Sequence, residues 1–272
     1  CAVSNLSLEI DKGDVFGFIG PNGAGKTTTL KVLATLLKPT TGDAWIAGHS
    51  VTRDIYHVRR HMGYMPEEFG VYDGMRLWEY LDFFAAAYKI PAKRRKGIID
   101  DVLELLDLTH KRDDFVEALS RGMKQRLCLA KTLLHDPYVL ILDEPASGLD
   151  PRARLEIKEL IKELRRMGKT IIISSHILSE LADICNKIGI IERGKMLAAG
   201  AIEDIRRSIK QHRILEITLL NGTEQAQKYV EKQPGVMSVE SSGAVLRVEY
   251  AGALEDVVKL HNGLFEQGIQ VI

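Results

Sequence analysis

The chain has 272 residues, more than a typical single domain, and its 45% hydrophobic and 27% charged residues are ordinary for a globular protein with a substantial core. Lysine and arginine total 37, as do aspartate and glutamate, so no overall charge would attract the chain to nucleic acid or acidic lipid. The three widely spaced cysteines favour the reduced thiols of a cytoplasmic protein over a disulfide framework or a zinc site. No apolar run approaches the ~20 residues of a membrane-spanning helix.

Four short apolar runs rich in valine and isoleucine predict strands that are covered on both faces. They span residues 15–19, 139–142, 170–173 and 187–191. Between them lie amphipathic segments with apolar residues at helical spacing, for example the segment after Pro151. This alternation of strands and helices predicts an α/β fold with a parallel sheet.

A helical insertion is predicted between the first two of these strands. Over residues 77–108 the strand signals stop, and two helical patterns follow each other with Pro91 between them. We expect a helical subdomain of about residues 70–125. Its aromatic side chains, among them Trp78 and Phe84, either fill the core of the subdomain or line an apolar groove for a helix of another protein.

The pattern changes after Gly200 to the order strand, helix, strand, strand, helix, strand. The segments are residues 214–219, 224–233, 236–241, 245–250, 254–267 and 269–272. This order predicts a small α+β domain of the ferredoxin-like βαββαβ type, a fold that by itself says little about what it binds. The predicted domains are therefore residues 1–205 and an accessory domain of residues 210–272.

A glycine-rich loop with the sequence GPNGAGKT, residues 20–27, follows the first strand and precedes a helical segment. It matches the phosphate-binding pattern GxxxxGK[ST] in the context that this motif requires. Its N–H groups and the positive end of the helix dipole would face phosphate oxygens. We expect Lys26 to contact the β- and γ-phosphates, Thr27 to hold Mg²⁺ and Thr28 to reach the α-phosphate. The residues expected against the nucleotide are Asn22, Gly23, Gly25, Lys26, Thr27 and Thr28.

A pair of adjacent carboxylates, Asp143 and Glu144, ends the strand of residues 139–142. The carboxyl ends of strands are where α/β proteins place their sites. We expect Asp143 to join the Mg²⁺ shell, directly or through water, and Glu144 to polarise the attacking water as general base. An acidic turn without function is the alternative, which the phosphate loop disfavours because a nucleotide site needs a metal partner.

These two motifs predict a phosphate-loop NTPase, a class that includes GTPases, kinases, helicases and transporter motors, and a third motif narrows the choice. Residues 119–126, LSRGMKQR, resemble the signature of the ABC ATPase family, usually written LSGGQ, although Arg121 and Met123 depart from it. In the family this signature faces the phosphate loop of a second copy. The resemblance therefore implies that Ser120 and Gly122 cap the γ-phosphate across a dimer. The structural alternative is that Ser120 only N-caps a helix.

Two further segments resemble the family and stand in its order. The sequence SGLD at residues 147–150 resembles the D-loop, and the sequence SSH at residues 174–176 follows a strand as the switch histidine does. The resemblance implies that His176 hydrogen-bonds the γ-phosphate and orients the water and Glu144. It also implies that Asp150 crosses the dimer interface, a role compatible with N-capping the helix that follows. The alternative for the histidine is a structural role.

One departure from the family concerns the metal site. Glu67 stands where the family has a glutamine that links the metal site to the helical insertion. A carboxylate can still ligate Mg²⁺, but it adds charge beside Asp143 and Glu144. We therefore expect a shift in the pKa of Glu67 or in the metal affinity. A solvated turn acid is the alternative. We expect the adenine-stacking aromatic of the family upstream of Cys1, and we interpret this start as truncated rather than as a signal peptide.

The resemblance covers residues 2 to about 200 and implies the P-loop NTPase fold of ABC ATPase type. It further implies an ATPase with ATP and Mg²⁺ as cofactors, working as a nucleotide-sandwich homodimer or heterodimer. Such a subunit powers transport through a separate integral membrane permease and is peripheral at the cytoplasmic face of the cell membrane. A C-terminal appendage favours an exporter by analogy.

Two other functions compete with a transporter subunit. A GTPase is disfavoured because residues 186–189, NKIG, lack the aspartate of a guanine-reading motif. The stronger alternative is a soluble ABC ATPase that remodels ribosomes or nucleic acid. Such proteins typically join two ATPase halves or carry long coiled-coil insertions, and we see neither in this sequence. The balanced charge also argues against a nucleic-acid partner, and we expect none.

Overall fold

The structure is a computed structural model that describes residues 2–68, 70, 72, 74–205, 212–251 and 254–272. It divides the chain into two compact units, Cys1–Ile202 and Glu203–Ile272. The sequence placed this division slightly later, between residues 205 and 210. Cys1, to which the expected truncated start refers, lies outside the described residues.

A six-stranded sheet, counted over the described residues, organises the first unit in the order β4-β5-β6-β1-β7-β8. Neighbouring strands run parallel except β7 and β8, which pair antiparallel. A separate hairpin joins β2 to β3. This architecture confirms the predicted α/β fold with a parallel sheet. The strands are β1 (Val15–Ile19), β2 (Trp45–Ile46), β3 (His49–Ser50), β4 (Met62–Met65), β5 (Val139–Leu142), β6 (Thr170–Ser175), β7 (Lys187–Glu192) and β8 (Lys195–Ala201).

Two strands of this sheet, β4 and β8, were missed by the sequence analysis. β4 reads Met-Gly-Tyr-Met, without a β-branched residue, and β8 is rich in alanine. Their extended state comes from pairing, β4 with β5 and β8 with β7. Glycine is required within β4, because a Cβ on Gly63 would lie 2.6 Å from Cγ2 of Thr132. Pairing with a neighbouring strand, rather than residue propensity, thus decides both strands.

The helices of the first unit cover the sheet and form the predicted insertion. α3 and α4 lie between β4 and α5 and carry that insertion, joined to α5 by two 3₁₀ turns, Thr109–Lys111 and Val116–Ala118. None of the helices in the described part of the chain has the length and apolar character needed to cross a bilayer. The helices are α1 (Lys26–Leu33), α2 (Ile55–His61), α3 (Leu77–Ala87), α4 (Ala92–Leu105), α5 (Arg121–Leu133), α6 (Pro151–Arg166) and α7 (Leu178–Leu181).

The core of the first unit fixes the strand ends where the candidate site residues follow. All five residues of β1 are buried, and so are all six residues of β6. Phe16 and Phe18 of β1 pack in one cluster with Leu30 of α1, Ile141 of β5 and Ile172 of β6. Burial on this scale, roughly 1.5–3 kcal/mol for each large side chain, holds the carboxyl ends of β1, β5 and β6 together.

The second unit contains a three-stranded antiparallel sheet in the order β10-β11-β9. Val271 forms an antiparallel bridge to Leu219, so the predicted last strand is reduced to one bridge beside β9. In the core of the second unit, Val230 and Leu264, one from each of its two helices, pack against Leu246 of β11. The order of elements confirms the predicted βαββαβ type. They are β9 (His212–Thr218), α8 (Thr223–Val230), β10 (Val236–Ser242), β11 (Val245–Ala251) and α9 (Leu254–Glu266).

Candidate functional site

The glycine-rich loop connects the carboxyl end of β1 to the first turn of α1. Gly23 and Gly25 have φ angles of 79° and 107°, in the region that favours glycine. Gly20 has no room for a side chain, because a Cβ there would lie 2.2 Å from the carbonyl oxygen of Ile191. At Gly23, by contrast, a Cβ would meet nothing within 4 Å. The glycines are therefore needed for the tight path of the loop, which is open to solvent at Gly23. Asn22 also lies exposed in this loop.

Lys26, the first residue of α1, has a buried side chain that points back into this loop. Its Nζ donates to the carbonyl oxygens of Gly20 at 2.6 Å and Pro21 at 3.3 Å. The same atom lies 3.5 Å from Oε1 of Glu144, so the loop and the end of β5 share one ammonium group. Thr27 and Thr28 follow Lys26 in the first turn of α1.

Asp143, the residue after β5, is 1% exposed. Its Oδ1 accepts a hydrogen bond of 2.6 Å from the hydroxyl of Ser174 on β6. Its Oδ2 is buried and has no hydrogen-bond partner among the described residues. A buried carboxylate oxygen without a partner is costly, and an oxygen-preferring divalent cation such as Mg²⁺ is the kind of group that satisfies it.

Glu144 has a strained backbone, and its carboxylate lies between Lys26 and His176. Its φ of 49° is unusual for a residue with a side chain. The backbone N–H of Glu144 donates to Oγ of Ser174 at 2.8 Å, so Ser174 fixes both carboxylate residues. Oε2 of Glu144 lies 3.0 Å from Nδ1 of His176. Because a carboxylate accepts only, Nδ1 carries the proton of this bond. Lys26, Glu144 and His176 are thus brought into one cluster.

Two buried polar residues at this edge were not assigned by the sequence analysis. Ser174 is fully buried near the carboxyl end of β6, directly after three isoleucines, and this change from apolar to polar residues was the available signal. Gln125 of α5 donates from Nε2 to the carbonyl oxygen of Pro145 at 2.8 Å. It ties α5 to the segment that directly follows Glu144.

Glu67 lies two residues beyond the end of β4 and is exposed. The backbone N–H of Asp143 donates to the carbonyl oxygen of Met65 at 2.9 Å, which brings the ends of β4 and β5 together. Burial raises the pKa of the Tyr64 hydroxyl, and the charges of Asp143 and Glu67 raise it further. The charges of Asp143 and Glu67 therefore both reach the Tyr64 hydroxyl, although the Glu67 side chain is exposed to solvent.

The signature residues lie at the N-terminus of α5, outside the cluster of Lys26, Glu144 and His176. Ser120 is exposed, and its Oγ accepts a hydrogen bond of 3.3 Å from the N–H of Met123, as expected of an N-cap. Gly122 packs against α6, since a Cβ on it would lie 3.3 Å from Cβ of Ala153. Within a single chain, Ser120 therefore acts as the N-cap of α5.

Arg121 stands where the usual signature has its first glycine, and its side chain extends towards residues 147–150. Its Nη2 donates to the carbonyl oxygen of Ser147 at 3.3 Å. Its guanidinium lies on Gly148, where a Cβ would be 2.4 Å from Cζ of Arg121. This departure from the family pattern therefore connects α5 to residues 147–150 of the same chain.

A polar chain links residues 147–150 to the segment that carries His176. Arg154 of α6 donates to the carbonyl oxygen of Leu149 at 3.2 Å and lies 3.0 Å from Oε1 of Glu180. The hydroxyl of Ser175 donates to Oε2 of Glu180 at 3.1 Å. Asp150 itself accepts from the N–H of Ala153 at 2.9 Å and caps α6, the structural role expected for it.

A glycine-rich loop at a helix N-terminus, paired with buried carboxylates on a parallel sheet, defines a P-loop NTPase. Comparison with known proteins specifies the family. Residues 3–147 match the model of the family described as "ABC transporter". The chain belongs to this family and carries its ATPase domain, which confirms the resemblance found in the sequence.

Individual relatives agree with this assignment. The ABC transporter ATP-binding protein YhcH of Bacillus subtilis is 43% identical over 203 residues, which are 74% of this chain and 66% of YhcH. The Nod factor export ATP-binding protein I of Burkholderia thailandensis is 36% identical over 244 residues, 90% of this chain and 79% of that protein. Among solved structures, cbiO1 from Clostridium perfringens, part of the ABC transporter complex cbiONQ, gives a TM-score of 0.70 at 26% identity. That match covers 86% of this chain and 89% of cbiO1.

Proposed function

We propose that this chain hydrolyses ATP as one half of a nucleotide-sandwich dimer and thereby powers transport through a separate integral membrane permease. The observation that carries the proposal is the cluster of Lys26, Glu144 and His176 beside the unpartnered Oδ2 of Asp143. A buried cation, a base candidate with its orienting histidine, and an unsatisfied metal-ligand oxygen meet at one edge of the sheet. These are the parts that phosphoryl transfer to water requires.

Nucleotide binding is proposed to exchange the contacts of Lys26. Its ammonium lies on the carbonyl oxygens of Gly20 and Pro21 and near Glu144, and phosphate oxygens are stronger partners for it than neutral carbonyls. Once Lys26 turns to the β- and γ-phosphates, Glu144 loses its cation and becomes free to accept a proton. ATP arrival would thus activate the base.

The remaining roles near the phosphates follow from position. Thr27 and Asp143 would hold Mg²⁺, with Glu67 as a third candidate, and a bound Mg²⁺ neutralises charge on the β- and γ-phosphate oxygens. Asn22, Gly23, Gly25 and Thr28 would line the phosphates from the loop and the first helical turn. His176 donates from Nδ1 to Glu144 and so orients the base that removes a proton from the attacking water.

The second half of each site is proposed to come from another copy of the ATPase. Ser120 and Gly122 stand at the N-terminus of a 13-residue helix, whose dipole favours an anion. Within one chain they belong to no cluster with Lys26. Facing the phosphate loop of a partner, they and Asp150 would close the nucleotide between two subunits, as the family resemblance implies.

The permease contact is proposed to involve the helical insertion. Tyr72, Phe83 and Tyr88 expose much of their rings there, and Tyr72 and Phe83 contact each other edge to face. Such a surface suits an apolar cytoplasmic helix of a membrane subunit. The subunit would then be peripheral at the cytoplasmic face of the membrane. Export is favoured by the names of relatives such as the Nod factor export protein.

The test combines a variant with a capture experiment. Glu144→Gln removes the base while keeping the shape, so hydrolysis should fall at least roughly 100-fold and ATP should trap a dimer in size-exclusion chromatography. Glu163→Gln, a half-exposed acid on α6 that pairs with Arg166, is the matched control and should behave as the parent. Unchanged hydrolysis in Glu144→Gln would refute the assignment of the base.

Capture from native membranes decides the partner. The trapped dimer should be recovered with an integral membrane protein, which supports the transporter. Recovery with ribosomes or nucleic acid instead would favour the soluble remodelling ATPase and overturn the transport proposal, while leaving the ATPase chemistry intact.

A further inference from the structure

A second group of metal-ligating side chains lies where β3 leads into α2, and it shares no residue with the phosphate-loop site. It consists of His49 on β3, Asp54 at the start of α2 and His57 in the first turn of that helix. One potential ligand atom from each residue lies within 4.8 Å of the other two. Nδ1 of His49 is 2.5 Å from Oδ2 of Asp54, and Nδ1 of His57 is 2.6 Å from Oδ1.

The Asp54 carboxylate is committed to these imidazoles rather than to its helix. Aspartate at an N-cap usually accepts a hydrogen bond from the second or third backbone N–H of the helix, but the Asp54 side chain makes no such bond. The neighbouring cation Arg53 pairs with Asp43 and not with Asp54. The two carboxylate oxygens therefore face the two histidines.

The imidazole rings are held parallel by stacking. The centroid of the His49 ring lies 5.0 Å from that of His57 and 5.3 Å from that of His61, with interplanar angles of 15° and 6°. The His61 ring in turn stacks on Tyr138 and donates from Nδ1 to the carbonyl oxygen of His57. Ring orientation is thus fixed before any ligand arrives, which lowers the cost of binding.

We propose that His49, Asp54 and His57 form a binding site for one divalent transition-metal ion of the zinc class. Imidazole nitrogen and carboxylate oxygen are ligands that zinc takes at about 2.0–2.2 Å, so two ligands of one ion lie up to about 4 Å apart. Small side-chain rotations would widen the Nδ1–Oδ spacings of 2.5 and 2.6 Å and bring all three ligand atoms, which lie within 4.8 Å of one another, into the range for one ion. For Nδ1 to coordinate the ion, the proton of each neutral imidazole would move to Nε2, and water would complete the coordination.

The chemistry of the ligands selects the class of ion. Mg²⁺ prefers oxygen ligands, whereas imidazole suits Zn²⁺, Cu²⁺ and Ni²⁺. The three side chains are 31%, 38% and 50% exposed for His49, Asp54 and His57, so an ion can enter from solvent. Since the ligands come from β3 and α2, a bound ion would join these elements and stabilise the folded state.

The experiment is a calorimetric titration of the untagged chain with zinc chloride. The parent should bind about one ion, and His49→Gln or His57→Gln should weaken the affinity at least roughly 10-fold, as losses around metal sites do. His110→Gln, an exposed histidine on a 3₁₀ turn, is the control and should bind as the parent. Each variant should show the unfolding temperature of the metal-free parent.

Several outcomes would overturn the proposal. These are a parent that binds no zinc, ligand variants that bind as well as the parent, or an equal loss in His110→Gln. Should both histidine variants fail to fold, Asp54→Asn retains the size of the side chain and removes one ligand charge. It should show the same weakening, and unchanged zinc affinity in that variant would exclude the site.

Discussion

Two parts of the ATPase unit differ in how far one chain completes them. We call them the phosphate-loop edge, which carries Lys26 and Glu144, and the signature edge, which carries Ser120 and Asp150. At the phosphate-loop edge, Lys26 and Glu144 are buried and contact each other. At the signature edge, Ser120 and Asp150 are exposed, and each caps only its own helix. Buried charges are costly unless they have partners, and at the first edge the chain supplies those partners itself. In the proposed dimer, the second edge gains a nucleotide role only through another copy.

The largest expected effect falls on the phosphate-loop edge. Lys26→Ala removes the two proposed charge-assisted phosphate contacts, of about 2 kcal/mol each, so ATP affinity should fall roughly 1,000-fold. Equilibrium binding of ATP measures this, with Lys31→Ala on the same helix as control. Parent-like affinity in Lys26→Ala would contradict the phosphate-loop assignment.

The signature edge should respond differently. Ser120→Arg places a bulky side chain at the helix N-terminus, so hydrolysis should fall roughly 100-fold, whereas ATP binding to the single chain should be unaffected. Mixing Lys26→Ala with Ser120→Arg sharpens the comparison. A mixed dimer contains one site with both defects and one intact site, so hydrolysis should reappear. If mixing restores no activity, the two edges do not meet across a dimer.

An intermediate effect is expected at Ser174, which orders both carboxylate residues. Ser174→Ala leaves Oδ1 of Asp143 and the N–H of Glu144 without their partner, at a cost of about 2 kcal/mol in the free energy of unfolding. Hydrolysis should fall roughly 10-fold because the base is misplaced. Urea unfolding and an ATPase assay measure the two effects, with the exposed Ser238→Ala as control. An unaltered ATPase rate would show that Ser174 only fills space.

The smallest effect is expected at Arg121. Its contact with the carbonyl oxygen of Ser147 is exposed, so Arg121→Ala should cost less than about 1 kcal/mol of stability. Hydrolysis should change less than roughly 3-fold, since the side chain contacts residues 147–150 rather than the Lys26 cluster. A loss as large as that of Ser120→Arg would place Arg121 at the nucleotide and revise the comparison.

Much of the fold could be predicted because its signals are local. The buried strands β1, β5, β6 and β7 are apolar and rich in β-branched residues, and the helices of the insertion show their spacing directly. β4 and β8 could not be predicted, since methionine, glycine and alanine favour no strand by themselves. β4 depends on hydrogen bonds to β5, which lies more than 70 residues further along the chain, and β8 depends on its hairpin with β7.

The sequence by itself determined the phosphate loop, the carboxylate pair and the family. These are contiguous motifs whose spacing and residue types are dictated by close approach to phosphate and metal. Only the tertiary structure decided that Ser174 orders Asp143 and Glu144, that Lys26 rests on Glu144, and that Arg121 covers residues 147–150. It also brought His49 and His57 onto one carboxylate. Such contacts join side chains whose spacing in sequence carries no fixed meaning, because folding sets their distance.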